Sequence, residues 1–338
     1  MSGHEPVPEA VASFEQRLRA ALVDWRRSCV VLAGFVVLLS LCFAKPLLDM
    51  GRYVLKSELY SHVPLVPLIS LYLIWLRRRQ LAEAPRLGWG WAAVPAVGGA
   101  VVLASYGWMR LAGVKLAKDD YLALTLGSFV CWVVAGAMAI VGTRRIRLVA
   151  FPVSFLVFVI PFPLAVTQWI EQFFQHATSW VAHGLFVLSG TPVLRIGTNF
   201  QLPGFALRVA EECSGIRSSL VLFMTSLLAG YLFLRTGWKR WVLALAVVPI
   251  GIVRNAFRVF TIAMLCVHVD LRMIDSPLHR RGGPVFFLLS LLPFFLLLLW
   301  LRWTEKKAVG SPSLAGELAG GPAHQERGRQ QAVNPDSP

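Results

Sequence analysis

Long apolar segments alternate with short polar loops along most of the chain, and this alternation sets the predicted fold. A membrane span takes ~20 consecutive apolar residues, and shorter spans are tolerated where the bilayer thins or flanking side chains snorkel. By that measure the sequence predicts eight transmembrane helices. They run approximately over 29–48, 60–76, 89–109, 121–141, 148–167, 214–234, 241–264 and 284–302.

Lysine and arginine gather in every second loop between these segments. Cytoplasmic loops of membrane proteins carry the excess of basic residues, so the basic loops and both termini are predicted to be cytoplasmic. The clusters are Arg26 and Arg27, Arg77 to Arg79, Arg144, Arg145 and Arg147, Arg235, Lys239 and Arg240, and Arg302, Lys306 and Lys307. The other loops are then extracytoplasmic, in a multi-pass protein of the cytoplasmic (inner) membrane.

The longest extracytoplasmic loop runs from about Pro163 to Glu212. Its first half, TQWIEQFFQHATSWVAHGLFVLSG, has apolar residues at mixed helical spacing and predicts one interfacial or re-entrant helix. Its second half, TPVLRIGTNFQLPGFALRVAEE, alternates polar and apolar residues between glycine and proline. That pattern predicts a short β-hairpin or two extended strands that lead into Cys213. The predicted fold class is an all-α membrane bundle with this small β element outside.

Composition narrows the class of protein. Hydrophobic residues make up 56% of the 338 residues and charged residues 15%, which is more apolar surface than a soluble domain of this length can bury. The net charge of +15 is divided among short loops, whereas a nucleic-acid-binding protein gathers its basic residues on one soluble face. No nucleic-acid partner is therefore expected, and the lipid bilayer is the expected surrounding.

Three parts of the chain differ in composition. Residues 1–28 are predicted to form a cytoplasmic N-terminal segment that lacks the apolar region and cleavage site of a signal peptide. Residues 29–305 form the predicted transmembrane domain. Residues 306–338 are rich in Gly, Pro, Ser, Gln and charge; such a composition buries too little apolar surface to fold, so a disordered cytoplasmic tail is predicted.

Cysteine usage argues against both a disulfide framework and a structural metal. The five cysteines, Cys29, Cys42, Cys131, Cys213 and Cys266, lie in or beside apolar segments without CxxC or Cys/His spacing. The sequence also contains no HExxH and no GxSxG motif. No metal or other cofactor is therefore predicted.

Cys213 is the one cysteine whose sequence surroundings predict chemistry. It stands in EECSGIRSS at the predicted outer start of a helix, after Glu211 and Glu212 and before Ser214 and Gly215. A thiol at a helix N-terminus meets unpaired backbone N–H groups and the positive end of the helix dipole, which favours the thiolate. The same N–H groups can hold an oxyanion. The alternative is a buried, inert cysteine.

A second polar motif, RNAFR, interrupts the predicted helix 241–264. Arg254 and Arg258 are four residues apart and therefore share one helix face, with Asn255 beside them. Each charge at the centre of a membrane helix costs at least ~2.5 kcal/mol, so such residues usually face the bundle interior and serve a function. The alternatives are snorkelling towards headgroups or a structural pair with a carboxylate.

Two histidines are predicted on the extracytoplasmic side. His279 precedes the last helix in SPLHRRGGPVFF, and His62 lies at the outer end of the second helix. An imidazole, with its ordinary pKa of ~6.5, is the usual group for moving protons near neutral pH. Either histidine can be the base, or an ordinary loop or interfacial residue.

Together, a thiol, a guanidinium pair and an imidazole come from three successive membrane elements at one predicted depth. Such a set can perform acyl transfer, with cysteine as nucleophile, histidine as acid and base, and arginine holding an anion. One alternative is a permease in which Arg254, Arg258 and His279 line an anion path. Another is a purely hydrolytic intramembrane cysteine protease.

At these residues the sequence resembles the exosortase/archaeosortase family of membrane transpeptidases. The resemblance extends from about Tyr60 to Trp300. The segments that carry it are YSHVPLVPLISLYLIWLRR, FPVSFLVFVIPFP, GTPVLRIGTNF, VAEECSGIRSS, NAFR and HRRGGPVFF.

The resemblance implies both a reaction and a substrate class. Cys213 is implied as the acyl-thioester nucleophile, Arg258 as acid or charge stabiliser, and His279 as the third catalytic group. Archaeal relatives place an essential arginine directly before an asparagine, which corresponds to Arg254 here, so both arginines are catalytic candidates.

Candidate substrate-binding residues are Glu212, Ser214, Gly215, Asn255 and His62. The implied substrates are membrane-anchored proteins with C-terminal sorting signals of the PEP-CTERM type, which consist of a short motif, a membrane helix and a basic end. The acceptor of the cleaved protein is unknown.

Overall fold

A computed structural model describes residues 7–57, 59–83, 90–209, 215–270, 272 and 283–309. In chain order the helices are α1 (Val7–Cys42), α2 (Ala44–Lys56), α3 (Leu65–Leu76), α4 (Arg78–Glu83), α5 (Ala93–Leu111), α6 (Lys118–Val141), α7 (Thr143–Leu148), α8 (Ala150–Phe155), α9 (Leu164–Leu188), α10 (Ile216–Phe233), α11 (Gly237–His268) and α12 (Gly283–Val309). The strands are β1 (Leu194–Ile196), β2 (Asn199–Leu202) and β3 (Phe205–Arg208).

Within these described segments, six helices are long and apolar enough to cross a membrane. They are Val23–Cys42, Gly90–Leu111, Lys118–Val141, Ile216–Phe233, Gly237–His268 and Gly283–Lys306. Each overlaps one of the predicted spans, and the all-α membrane class is confirmed. The first span ends earlier than the predicted residue 48, because α1 stops at Cys42 and a separate helix, α2, follows. The break occurs here because Pro46 has no N–H to bond the Cys42 carbonyl.

The other two predicted spans, 60–76 and 148–167, are not single long helices. Helix α3 has only 12 residues, since residues 59–64 form turns that end at Pro64. The second span bends by 92° between Ala150–Val159 and α9. Pro161 and Pro163 lie at this bend and cannot donate helical hydrogen bonds. Helix α9 covers the helix predicted in the long loop.

A three-stranded sheet replaces the predicted hairpin or strand pair. Its strand order is β1–β2–β3, and the connections are only two residues long, which requires antiparallel pairing. The second connection is Pro203-Gly204, with a φ of 88° at Gly204. Proline followed by a residue with positive φ is the signature of a type II turn, so this proline-glycine pair joins two strands.

The described contacts divide into two units. The first consists of residues 1–180, 195–199 and 208–217. In it α6 packs against α1, α2 and α5. At one end of this unit, the buried Arg145 forms an ion pair with Asp24 at 3.1 Å, and the Arg77 guanidinium donates to the Leu148 carbonyl at 2.7 Å. Three loops that were predicted on the cytoplasmic side therefore lie together.

The opposite end of α6 gathers loops that were predicted on the other side. The Tyr53 hydroxyl donates to Asp119 at 2.8 Å, and the Leu164 amide donates to Asp120 at 2.9 Å. The Tyr121 hydroxyl donates to Asp49 at 3.2 Å. Since α6 has 24 residues and rises 1.5 Å per residue, ~36 Å separates the two sets of loops. This separation agrees with the predicted alternation of loops across the bilayer.

The second unit consists of residues 181–194, 200–207 and 218–338. Buried side chains of α10, α11 and α12, among them Leu222, Leu243 and Phe294, form one apolar cluster. At the basic end of this unit, the Glu305 carboxylate accepts hydrogen bonds from the amides of Arg235, at 3.0 Å, and Thr236, at 2.8 Å. Glu305 thus caps the start of α11 and joins it to the last turn of α12.

Helix α1 contacts α6 where Gly136 faces the ring of Phe35. A Cβ added at Gly136 would lie 2.6 Å from Phe35 Cδ1 and 2.9 Å from Cζ. We expect Gly136→Val to lower the free energy of unfolding by about 1–3 kcal/mol, because overpacking forces the two helices apart. The measurement is thermal unfolding of the purified protein in detergent.

The matched control is Gly107→Val on α5, because a Cβ there meets nothing within 4 Å. Phe35→Ala in the Gly136→Val background should restore much of the lost stability. Equal losses in the Gly136 and Gly107 variants would contradict the packing argument.

Candidate active site

The predicted site residues are partly within the described chain. The structure describes His62, Gly215, Arg254, Asn255 and Arg258. The predictions for Glu212, Cys213, Ser214 and His279 fall outside the described residues. His62 and Gly215 belong to the first unit, and the three α11 residues belong to the second.

The α11 motif lies on the buried side of its helix. Arg254 is 7% exposed and Asn255 is 2% exposed, and Arg258 is half-buried. The flanking apolar residues Val253 and Phe257 are 54% and 42% exposed. Snorkelling requires an exposed guanidinium, so the burial of Arg254 favours the interior-facing alternative.

Both arginines lie in the second half of α11, which runs for 32 residues. Arg258 is ten residues before the last helical residue, His268, or ~15 Å along the axis. Residues four apart are neighbours on a helix surface, and like charges at this spacing destabilise each other. A carboxylate or oxyanion bound between them would relieve this repulsion, so the arrangement suits an anionic ligand or transition state.

Gly215 precedes the first residue of α10, Ile216, and has a φ of 71°. A residue with a Cβ is strained in this left-handed conformation, so glycine is needed to turn the chain into the helix. The helix predicted from residue 214 thus begins two residues later. Cys213 precedes Ile216 by three positions in the sequence and lies outside the described residues.

His62 lies in the turn before α3 and is 8% exposed. Its Nδ1 is 3.1 Å from the Leu59 carbonyl oxygen. Burial lowers the pKa of His62, while hydrogen bonds with the backbone of Leu59 and Phe158 oppose this shift. The main chain therefore holds the ring in place, which limits its use as a mobile proton carrier.

A tyrosine–aspartate cluster beside His62 was missed by the sequence analysis. The Tyr60 ring is 2% exposed and lies 6.4 Å from the His62 ring and 5.5 Å from the Tyr53 ring. Burial and the charge of Asp119 raise the pKa of Tyr60. A signal was available, because Asp119 and Asp120 directly precede the predicted helix 121–141, and acidic side chains at a helix start complement the helix dipole.

The other cysteines all lie in the described part of the chain. Cys29, Cys42, Cys131 and Cys266 are not joined in disulfides there, and they belong to helices α1, α6 and α11. Within the described segments, no three histidine, cysteine or acidic side chains come together in positions suited to a metal ion.

Comparison with known proteins identifies the family. The family model described as Transmembrane exosortase (Exosortase_EpsH) matches residues 54–296, well over half of the 338 residues. This range includes His62, Gly215, both α11 arginines and the sequence positions of Cys213 and His279. No curated protein and no solved structure gives a significant match. The chain therefore belongs to the transmembrane exosortase family, whose members are multi-pass membrane proteins and sorting transpeptidases.

Proposed function

We propose that the chain cleaves C-terminal sorting signals of the PEP-CTERM type through a thioester on Cys213 and transfers the product to an acceptor nucleophile. The supporting observation is an arginine pair on one face of a membrane helix, in which Arg254 is buried and Arg258 half-buried, inside the region that matches the family. Cationic side chains withdrawn from water are costly in a bilayer and suit a reaction that develops negative charge.

The reaction has two acyl-transfer steps. The Cys213 thiolate attacks the carbonyl carbon of the scissile peptide bond, and Arg258, supported by Arg254, stabilises the oxyanion. The C–N bond then breaks as the leaving amine takes a proton from His279. An acceptor nucleophile gives up its proton to His279, attacks the thioester carbon and releases the Cys213 thiolate. Water in place of the acceptor gives simple hydrolysis.

The location of the site follows from the predicted topology. A substrate whose tail spans the membrane presents the bond before its helix at the outer interface, where the charge pattern predicts Cys213. We propose that Glu212, Ser214, Gly215 and Asn255 contact the substrate there, within a transmembrane domain at 29–305 that is flanked by cytoplasmic segments.

His279 is the proposed base because His62 is held by backbone carbonyls. We expect His279→Asn to remove the ionisation near neutral pH from the pH profile of the cleavage rate. His62→Asn should leave that ionisation in place, and any loss should be a uniform decrease across pH. The profile is measured on membranes with a tail-anchored substrate. The reverse pattern would assign the base to His62.

The test of the thioester is a trapping experiment with the full-length protein. Membranes that contain the protein and a tail-anchored substrate are treated with neutral hydroxylamine, which cleaves thioesters. The expected result is a substrate fragment ending in a hydroxamate, together with loss of a covalent adduct mapped to residue 213 by mass spectrometry. Substrate cleavage without an adduct or hydroxamate would contradict thioester transfer and support direct hydrolysis.

A further inference from the structure

A groove in the first unit runs between α6 and the segment formed by α7, α8 and the turn that follows. Its volume is about 490 Å³. On one wall lie Val130, Val134 and Met138 of α6, and on the other lie Val153 and Val157. The α6 residues are four apart and share one face of the helix, so the wall is continuous over ~12 Å.

The groove exists because the chain returns along α6 in short pieces. Gly142 ends α6 with a φ of 98°, α7 and α8 have six residues each, and the bend at residues 160–163 follows. Short helices cannot cover the full length of α6, so its apolar face stays partly open. The six candidate spans indicate a bilayer around the chain, so an apolar occupant is available.

One end of the groove is cationic. Thr143 and Arg147 line this end, and Arg144 lies three residues before Arg147 on α7. Both guanidiniums are exposed. Within the described residues neither forms an ion pair, whereas the buried Arg145 between them is paired with Asp24. An amphipathic occupant with an anionic end would match this distribution of charge.

We propose that the groove binds one anionic phospholipid, with an acyl chain along α6 and the phosphate at Arg147 and Arg144. A phosphate oxygen accepts charge-assisted hydrogen bonds from guanidinium groups. A second transmembrane helix fits less well, because it is ~10 Å wide. Membrane helices also end in lysine or arginine on the cytoplasmic side, where the charge pattern predicts Arg144 and Arg147, and these would repel such an end.

Lipid retention by the full-length protein tests this site. The protein is purified in detergent with equal amounts of phosphatidylglycerol and phosphatidylcholine, and bound lipid is counted by native mass spectrometry. We expect one phosphatidylglycerol to be retained in preference to phosphatidylcholine, and its affinity to fall at least about tenfold in Arg147→Gln. Ala150→Leu, which fills the groove from its exposed rim, should weaken binding of the same lipid.

The matched control is Arg27→Gln, which removes an exposed arginine on α1 that does not line the groove. Retention that is equal for both lipids, or that is unchanged by both groove substitutions, would overturn the proposal. Photo-crosslinking from position 134 in cells distinguishes the occupants: an adduct of phospholipid mass supports the site, and an adduct with another polypeptide overturns it. Folding of each variant is checked by size-exclusion chromatography.

Discussion

Alanine at position 213 should lower the rate of sorting-signal cleavage by ~10⁴-fold or more, the loss expected when an enzyme nucleophile is removed. No other proposed group can form the acyl intermediate, because a guanidinium is not a nucleophile at neutral pH and an imidazole acts here as the base. The measurement is the size shift of a co-expressed, tail-anchored substrate on a blot, quantified against time.

Two matched controls separate loss of the nucleophile from general effects of cysteine removal. Cys42→Ala and Cys131→Ala change free cysteines in α1 and α6 and should leave cleavage within about twofold, in the range of changes that destabilise little. Cleavage that persists in Cys213→Ala would refute the cysteine mechanism. A permease would show no size shift in any of these proteins, including the wild type.

Arg258→Gln should lower the cleavage rate by ~10²–10³-fold, the loss typical of removing one donor that stabilises an oxyanion. Glutamine keeps a hydrogen-bond donor and removes the charge. Arg258→Lys keeps the positive charge but loses the planar guanidinium with its paired N–H donors, so an intermediate rate is expected. Rates are compared by the same assay at equal protein abundance in the membrane.

Comparison with Arg254 decides which guanidinium acts on the reacting atoms. Removing Arg254 relieves the like-charge repulsion expected between residues four apart on a helix, so Arg254→Gln should have a smaller effect on rate than Arg258→Gln. A larger effect would assign the principal role to Arg254. The control is Arg302→Gln, since Arg302 is an exposed arginine on α12 and should change the rate little.

The sequence predicted the long helices because ~20 apolar residues in a row have one stable conformation in a bilayer. It failed at two places where proline decides the local backbone. Residues 60–64 and 160–163 fall inside or at the edge of segments that hydropathy predicts as single spans, yet the first forms turns and the second lies at a bend of 92°. Hydropathy averages over a window and does not register a single missing N–H donor.

Prediction of the candidate site was also uneven. The energetic cost of charge in a membrane predicted that Arg254 faces inward, and its 7% exposure agrees. By contrast, Tyr53 and Asp119 are 66 positions apart and yet form a hydrogen bond. Such pairing depends on how the helices pack against each other. No local pattern in a single sequence predicts it. The third strand was missed because Pro203-Gly204 was interpreted as a break.

The contacts of Glu305 fix the position of α11 along α12. Sliding α11 along α12 by one turn, ~5.4 Å, would break the hydrogen bonds from Arg235 and Thr236 to Glu305 and from Lys239 to Thr304. The position of Arg258 is therefore set relative to the basic end of the unit, 19 residues or ~28 Å from Lys239. On the proposed mechanism, a substrate helix much longer or shorter than that span would bring a different peptide bond to the Arg258 guanidinium.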